Sequence, residues 1–197
     1  MNPNQETFTD GAPLAWSVVR DGGQAVGTAN PINSMHVGTG GGGVDGNLPG
    51  TGEGVTYAYL NIQNNNTASM TYSGTSLGSF SDFGPGAAYT LTLAIGRRLN
   101  LTAPTYTLEL LQNGVMVASS QGTATAGEFN DLTTSFLSTT ETGVIGIRII
   151  GTNNTGGFAQ ANFDNVCLDI AAVPEPSTVG LLGLTTVGIA ALRRRRS

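Results

Sequence analysis

Apolar and polar residues alternate with a period of two along most of this chain, and helical spacing does not persist for more than about a turn anywhere in residues 1–172. Tyr89, Leu91, Leu93 and Ile95 alternate with Thr90, Thr92 and Ala94, and Tyr106, Leu108 and Leu110 alternate with Thr107 and Glu109. Ile145, Ile147 and Ile149 repeat the pattern, as do Val166, Leu168 and Ile170 around Cys167 and Asp169. Shorter candidate strands are Ala15–Arg20, Ile32–Val37, Thr56–Ile62, Ala68–Ser73, Val115–Ser119 and Asp131–Leu137. Side chains on a strand point alternately to its two faces, so each segment predicts one buried face and one wet face. Asn113-Gly114 between two such segments predicts a tight hairpin, because both residues accept the positive φ of a type I′ turn. Gly38–Gly54 holds nine glycines in seventeen residues and predicts a long loop. About ten short strands with no helix between them predict an all-β fold, an antiparallel β-sandwich of the jelly-roll type.

Charge narrows what such a sandwich can meet. The chain has no lysine, and four of its eight basic residues are the arginines at its C-terminus. The preceding body therefore sets four arginines against twelve carboxylates, Glu175 being left out, for a net charge of −8. Nucleic acid is excluded as a partner, since phosphate binding needs clustered cations. Gly38-Thr39-Gly40-Gly41-Gly42-Gly43 is no phosphate loop, because the lysine that such a loop needs is missing. His36 is the single histidine and has no recognisable triad partner. Cys167, the single cysteine, cannot close an internal disulfide and is expected to be a small buried hydrophobe. Asp21, Asp45, Glu53, Asp82, Glu109 and Glu128 are candidates for a catalytic acid pair, but no spacing selects two of them. Trp16 is expected in the core, whereas Tyr57 and Tyr59 share one strand face and serve either as core or as a stacking platform for sugar rings. Arg97 and Arg98 point to opposite faces, so one of them faces inward or lies at an edge and calls for a carboxylate partner.

The last 25 residues differ in kind. Val173, Pro174, Glu175 and Pro176 form a turn that neither strand nor helix can cross, since the prolines fix φ and remove two donors. Fourteen uncharged residues follow, Val179–Leu192, with Val179, Leu181, Leu182, Leu184, Val187, Ile189 and Leu192 as their large apolar members. As a helix they span about 21 Å, short of the roughly 30 Å hydrocarbon core of a bilayer. Arg193, Arg194, Arg195 and Arg196 then supply a basic stop suited to an anionic cytoplasmic membrane face. Motif, apolar run and basic end together resemble the PEP-CTERM sorting signal of Gram-negative, biofilm-forming bacteria. That resemblance implies export, a hold in the inner membrane through a C-terminal hydrophobic helix, and processing by an exosortase-type enzyme before delivery to the envelope or extracellular matrix. It divides the chain into a sandwich over 1–172 and a sorting and membrane tail over 173–197. Met1-Asn2-Pro3-Asn4-Gln5-Glu6 carries neither a basic start nor an apolar stretch, so the expectation is that a signal peptide is missing upstream.

Several short pieces of the body carry a second resemblance. Asn2–Glu6, Trp16-Ser17-Val18, Tyr59-Leu60-Asn61, Tyr89–Leu93, Gly96-Arg97-Arg98 and Asn162-Phe163-Asp164-Asn165-Val166 fall in the order found in the jelly rolls of carbohydrate-binding modules and of the calcium-dependent Stig cyclases. The resemblance implies a structural calcium ion held by Glu6 and Asp164, which would tie the first segment to the last strand. With no catalytic constellation in view, the expectation is a non-enzymatic exported sandwich that contacts exopolysaccharide. The alternative is a glycosidase-like or cyclase-like enzyme on the same fold, which needs two carboxyl groups about 5–10 Å apart.

Overall fold

The computed structural model describes residues 7–10, 16–20, 26–30, 57–72, 77–99, 101–138 and 142–171. Eleven strands lie in them: β1 (Thr7–Asp10), β2 (Trp16–Arg20), β3 (Val26–Asn30), β4 (Tyr57–Gln63), β5 (Thr67–Tyr72), β6 (Ala88–Gly96), β7 (Thr105–Gln112), β8 (Val115–Gly122), β9 (Phe129–Leu137), β10 (Ile145–Thr152) and β11 (Phe158–Ala171). They form a six-stranded sheet in the order β1-β3-β4-β11-β6-β9 and a five-stranded sheet in the order β2-β5-β10-β7-β8. Every pairing between named strands is antiparallel. The expected antiparallel sandwich is therefore present. β1 and β3 are strands that the alternation did not single out. The candidate Ile32–Val37, the glycine-rich Gly38–Gly54 and the whole tail from Val173 lie outside the described residues.

The core is built from the residues that alternate. Tyr89, Leu91, Leu93 and Ile95 of the larger sheet meet Tyr106, Leu108, Leu110, Ile145, Ile147 and Ile149 of the smaller one in a single buried cluster. At about 25 cal/mol per Å² of apolar surface removed from water, burying each such side chain is worth roughly 1.5–3 kcal/mol. Tyr106 links the two sheets: its hydroxyl donates to the Gly96 carbonyl at 2.5 Å and accepts the Asn162 N–H at 2.7 Å. Gly96 and Asn162 are cross-strand partners, so the phenol of one sheet sits within the ladder of the other.

Two local features shape the site. The β7–β8 hairpin turns at Asn113 (φ 50°) and Gly114 (φ 79°), as the Asn-Gly pair predicts. In β11 the register against β6 shifts between Asp164 and Cys167, so that Asn165 and Val166 together oppose Leu93. This β-bulge places Asn165 at φ 46° and reverses the parity of the strand. Ala161 and Phe163 point into the core before it, and Val166, Leu168 and Ile170 do so after it. Cys167 consequently faces outward and is exposed, which corrects the expectation of a buried thiol.

Candidate functional site

The face of the six-stranded sheet turned away from the core carries most of the chemistry. Thr92 and Thr133 identify it, because they are cross-strand partners whose hydroxyls meet at 3.2 Å on that side. One row toward the arginines, Ala94 pairs with Asp164 of β11 on one flank and with Asp131 of β9 on the other. Two carboxylates thus stand in one row, separated by a strand that contributes only a methyl group. Two strand spacings put their Cα atoms about 10 Å apart. Asp131 is exposed and Asp164 half-buried.

On the same outer face, covering Ala94, lies an aromatic cluster of Tyr57, Tyr59 and Phe129. The Tyr57 and Phe129 rings are 5.8 Å apart and tilted by 58°. Phe129 lies over Gly96, and a Cβ there would meet its ring at 2.6 Å, so glycine is the residue that admits the ring. Tyr57 and Tyr59 share a face, as their spacing requires, but they are only 1% and 2% exposed. A ring enclosed on both sides offers nothing for a sugar to stack on, so the platform reading of these two residues is corrected to a buried aromatic wall. Asn162 and Gln160 on the same face are also buried, and Gln160 donates to the Asn61 side chain at 2.8 Å while accepting from Arg98 at 3.5 Å.

A second feature opens between the sheets on the far side of the bulge. Trp16, Tyr72, Leu77, Ile147, Val166 and Leu168 line an apolar cavity of about 270 Å³, with the Trp16 and Tyr72 rings 5.5 Å apart. Trp16 is thus a wall of a cavity rather than a fully buried core residue.

The carboxylates considered from sequence are not brought together. The Asp82 carboxylate accepts the Ser79 N–H at 2.7 Å and caps a short 3-10 turn, Phe80–Asp82. Glu109 forms a cross-strand ion pair with Arg148 at 2.5 Å, and Glu128 is exposed in the turn before β9. Asp21, Asp45, Glu53 and His36 lie outside the described residues. Asp131 was read only as the start of a strand, because its pairing with Asp164 through Ala94 exists only once three strands are assembled. Glu6 also lies outside the described residues, and among them no group of three or more His, Cys, Asp or Glu side chains converges. The described donors therefore do not by themselves make a calcium site, and no chemical step is derived through that ion. Val173–Pro176, the apolar run and Arg193–Arg196 lie beyond the described residues, among which no helix is long and apolar enough to cross a membrane.

Comparison with known proteins places the fold. A Stig cyclase from Fischerella sp. TAU, solved with (3Z)-3-(1-methyl-2-pyrrolidinylidene)-3H-indole, is 21% identical, with a TM-score of 0.64 over 85% of this chain and 90% of that one. A cyclase from the same organism, solved with 4-(1H-indol-3-yl)butan-2-one, is 22% identical, with a TM-score of 0.62 over 84% and 89%. The carbohydrate-binding module TmCBM61, in complex with β-1,4-galactotriose, is 14% identical, with a TM-score of 0.52 over 80% and 90%. At these identities the likeness is one of fold. No curated protein sequence matches the chain. Residues 172–196 match the PEP-CTERM protein-sorting motif, which implies export, a membrane-anchored tail and processing by an exosortase-type enzyme. The expectation of a non-enzymatic module is overturned, because the profile matching the body describes a cyclase and solved cyclases share its fold. By that match over residues 1–169, the chain belongs to the HpiC1 cyclase family.

Proposed function

We propose that the body of this exported protein is a carboxylate-dependent, cyclase-type enzyme acting on a small unsaturated substrate, with Asp131 and Asp164 as its working acids. The observation that carries this reading is the row Asp164–Ala94–Asp131 on the outer face of the six-stranded sheet. Closing a ring by proton transfer needs one group to give a proton to a double bond and a second to take one back from the closed product. The enzyme then returns to its starting state and the product is an isomer of the substrate. Two carboxyl groups in different surroundings suit that division of labour. Asp164, half-buried beside the bulge, is the proton donor, and exposed Asp131 is the acceptor. Tyr57, Tyr59 and Phe129 pack over the small Ala94 between the two acids as a rigid apolar support.

The test uses the full chain in D2O with an indole bearing an unsaturated side chain, chosen because similar cyclases are solved with indole compounds. A cyclised product of unchanged skeleton composition that has gained one deuterium is expected. Asp131→Asn and Asp164→Asn should each lower kcat/KM by about 100-fold or more while melting as the wild type does. Equal turnover in both variants would remove the acid pair. A calcium tie between Glu6 and Asp164 is the competing proposal for Asp164, since a metal-bound carboxylate cannot carry a proton.

A further inference from the structure

The inner face of β11 changes character along its length. Ala161 and Phe163, before the bulge, are buried in the core, whereas Val166 and Leu168, after it, stay half-buried although they too point inward. On β6, the strand paired beside them, Leu91 and Leu93 are fully covered. The two sheets therefore close on each other beneath β6 and leave a gap beneath the second half of β11.

The opposing wall of that gap is one cross-strand row of the smaller sheet. Trp16 pairs with Tyr72 and Tyr72 with Ile147, so three neighbouring strands present their inward side chains at one level. Val166 and Leu168, two residues apart on one face of β11, form the other wall, and Leu77 completes the lining. None of the described residues that line this cavity carries a charge. An ionic guest would lose its hydration there with nothing to replace it. An apolar cavity of about 150 Å³ takes a single benzene ring and otherwise stays dry. At about 270 Å³ this one has room for two fused rings. The Trp16 and Tyr72 rings stand 5.5 Å apart and are inclined by 55°, so a flat guest can stack on one and meet the edge of the other.

We infer that this cavity is a binding site for an uncharged, two-ring aromatic molecule, held between the Trp16–Tyr72 pair and the Val166–Leu168 face of β11. The site does not rest on the ring-closing reaction proposed above. Asp164 belongs to the outer face of β11 and Val166 to its inner face, so the sheet itself separates the guest from the acid pair.

Trp16 is the single tryptophan of the chain, so its emission reports on this cavity alone. The full chain is titrated with 1-nitronaphthalene, an uncharged quencher, and with 5-nitronaphthalene-1-sulfonate, which adds a charge to the same rings. Saturable quenching by the uncharged compound is expected, with the sulfonate binding at least about tenfold more weakly. Naphthalene should raise the melting temperature of the wild type and leave that of Leu168→Trp, whose larger ring fills the cavity, where it was. Asp164→Asn should bind as the wild type does, which keeps this site distinct from the acid pair. Quenching that does not saturate, equal affinity for the two quenchers, or an equal rise in Leu168→Trp overturns the proposal. Trp16 emission that shifts with protein concentration before any probe is added would assign the cavity mouth to a second copy of the chain and also overturn it. If Leu168→Trp does not fold, the contrast between the two quenchers in the wild type decides alone.

Discussion

At the scale of single residues, Tyr106 does two jobs that its place in an alternating strand does not announce. Burial drives its phenol far above the ordinary tyrosine range, an effect only partly offset by its hydrogen bonds with Asn162 and Gly96. The neutral phenol is thus the form that the fold holds. Its contribution is fully present below about pH 10, the unfolded value, and is lost as pH rises beyond it, because the unfolded chain can ionise where the folded one cannot. Tyr106→Phe leaves the Gly96 carbonyl and Asn162 N–H buried without this partner. It should cost about 1–3 kcal/mol in urea melts at pH 7, and its stability should decline less steeply above pH 10 than that of the wild type. An unchanged midpoint would mean that the two sheets do not rely on this link. Tyr57 and Tyr59 show the limit of reading residues from spacing. Their shared face was legible, but whether it met water or protein depended on Phe129 and Ala94, which arrive from other strands.

Among the elements, β11 is the one that the sequence only half reveals. Its second half, Val166 to Ile170, alternates plainly, and so does Ile145 to Ile149 of β10. The parity reversal at Asn165 is hidden, since Asn-Val inside an alternating run reads as ordinary strand until β6 is laid against it. The bulge is also what sets Asp164 at a bend rather than in a flat ladder, and bulges re-aim side chains in this way. Deleting Asn165 leaves Val166 opposite Leu93 and restores a regular ladder without turning any core residue outward. The shortened chain should therefore keep its fold, with a melting temperature within about 5 °C of the wild type, while ring-closing activity drops about as far as in Asp164→Asn. Full activity in the folded deletion variant would show that the bend does not position the acid. The β7–β8 hairpin is the opposite case: Asn113 and Gly114 were sufficient, because a two-residue turn is decided by the φ values that its own residues tolerate.

On the scale of the whole molecule, the sandwich has two unlike ends, one at which β6 runs out into Arg97 and Arg98 and an opposite one at Ala171, just before the sorting motif begins. If calcium ties Glu6 to Asp164, a chelator should lower the melting temperature of the full chain by several degrees, and Asp164→Asn should abolish that difference. Equal melting with and without chelator would dismiss the tie and leave Asp164 to the proton-carrying role. Properties that depend on near neighbours were settled by sequence alone. The period-two pattern specified strands, their total absence of helical spacing specified a sandwich, the Asn-Gly pair specified its turn, and the Pro-Glu-Pro motif with its apolar run and arginines specified the tail. Tertiary structure alone decided which faces were covered, that Cys167 was exposed and that Asp131 stood in line with Asp164. The physical reason is range. Strand direction and turn shape follow from local sterics, whereas an acid pair is assembled by hydrogen-bonded register between residues about 37 and about 70 positions apart in the chain, and a single bulged residue resets which side each group faces.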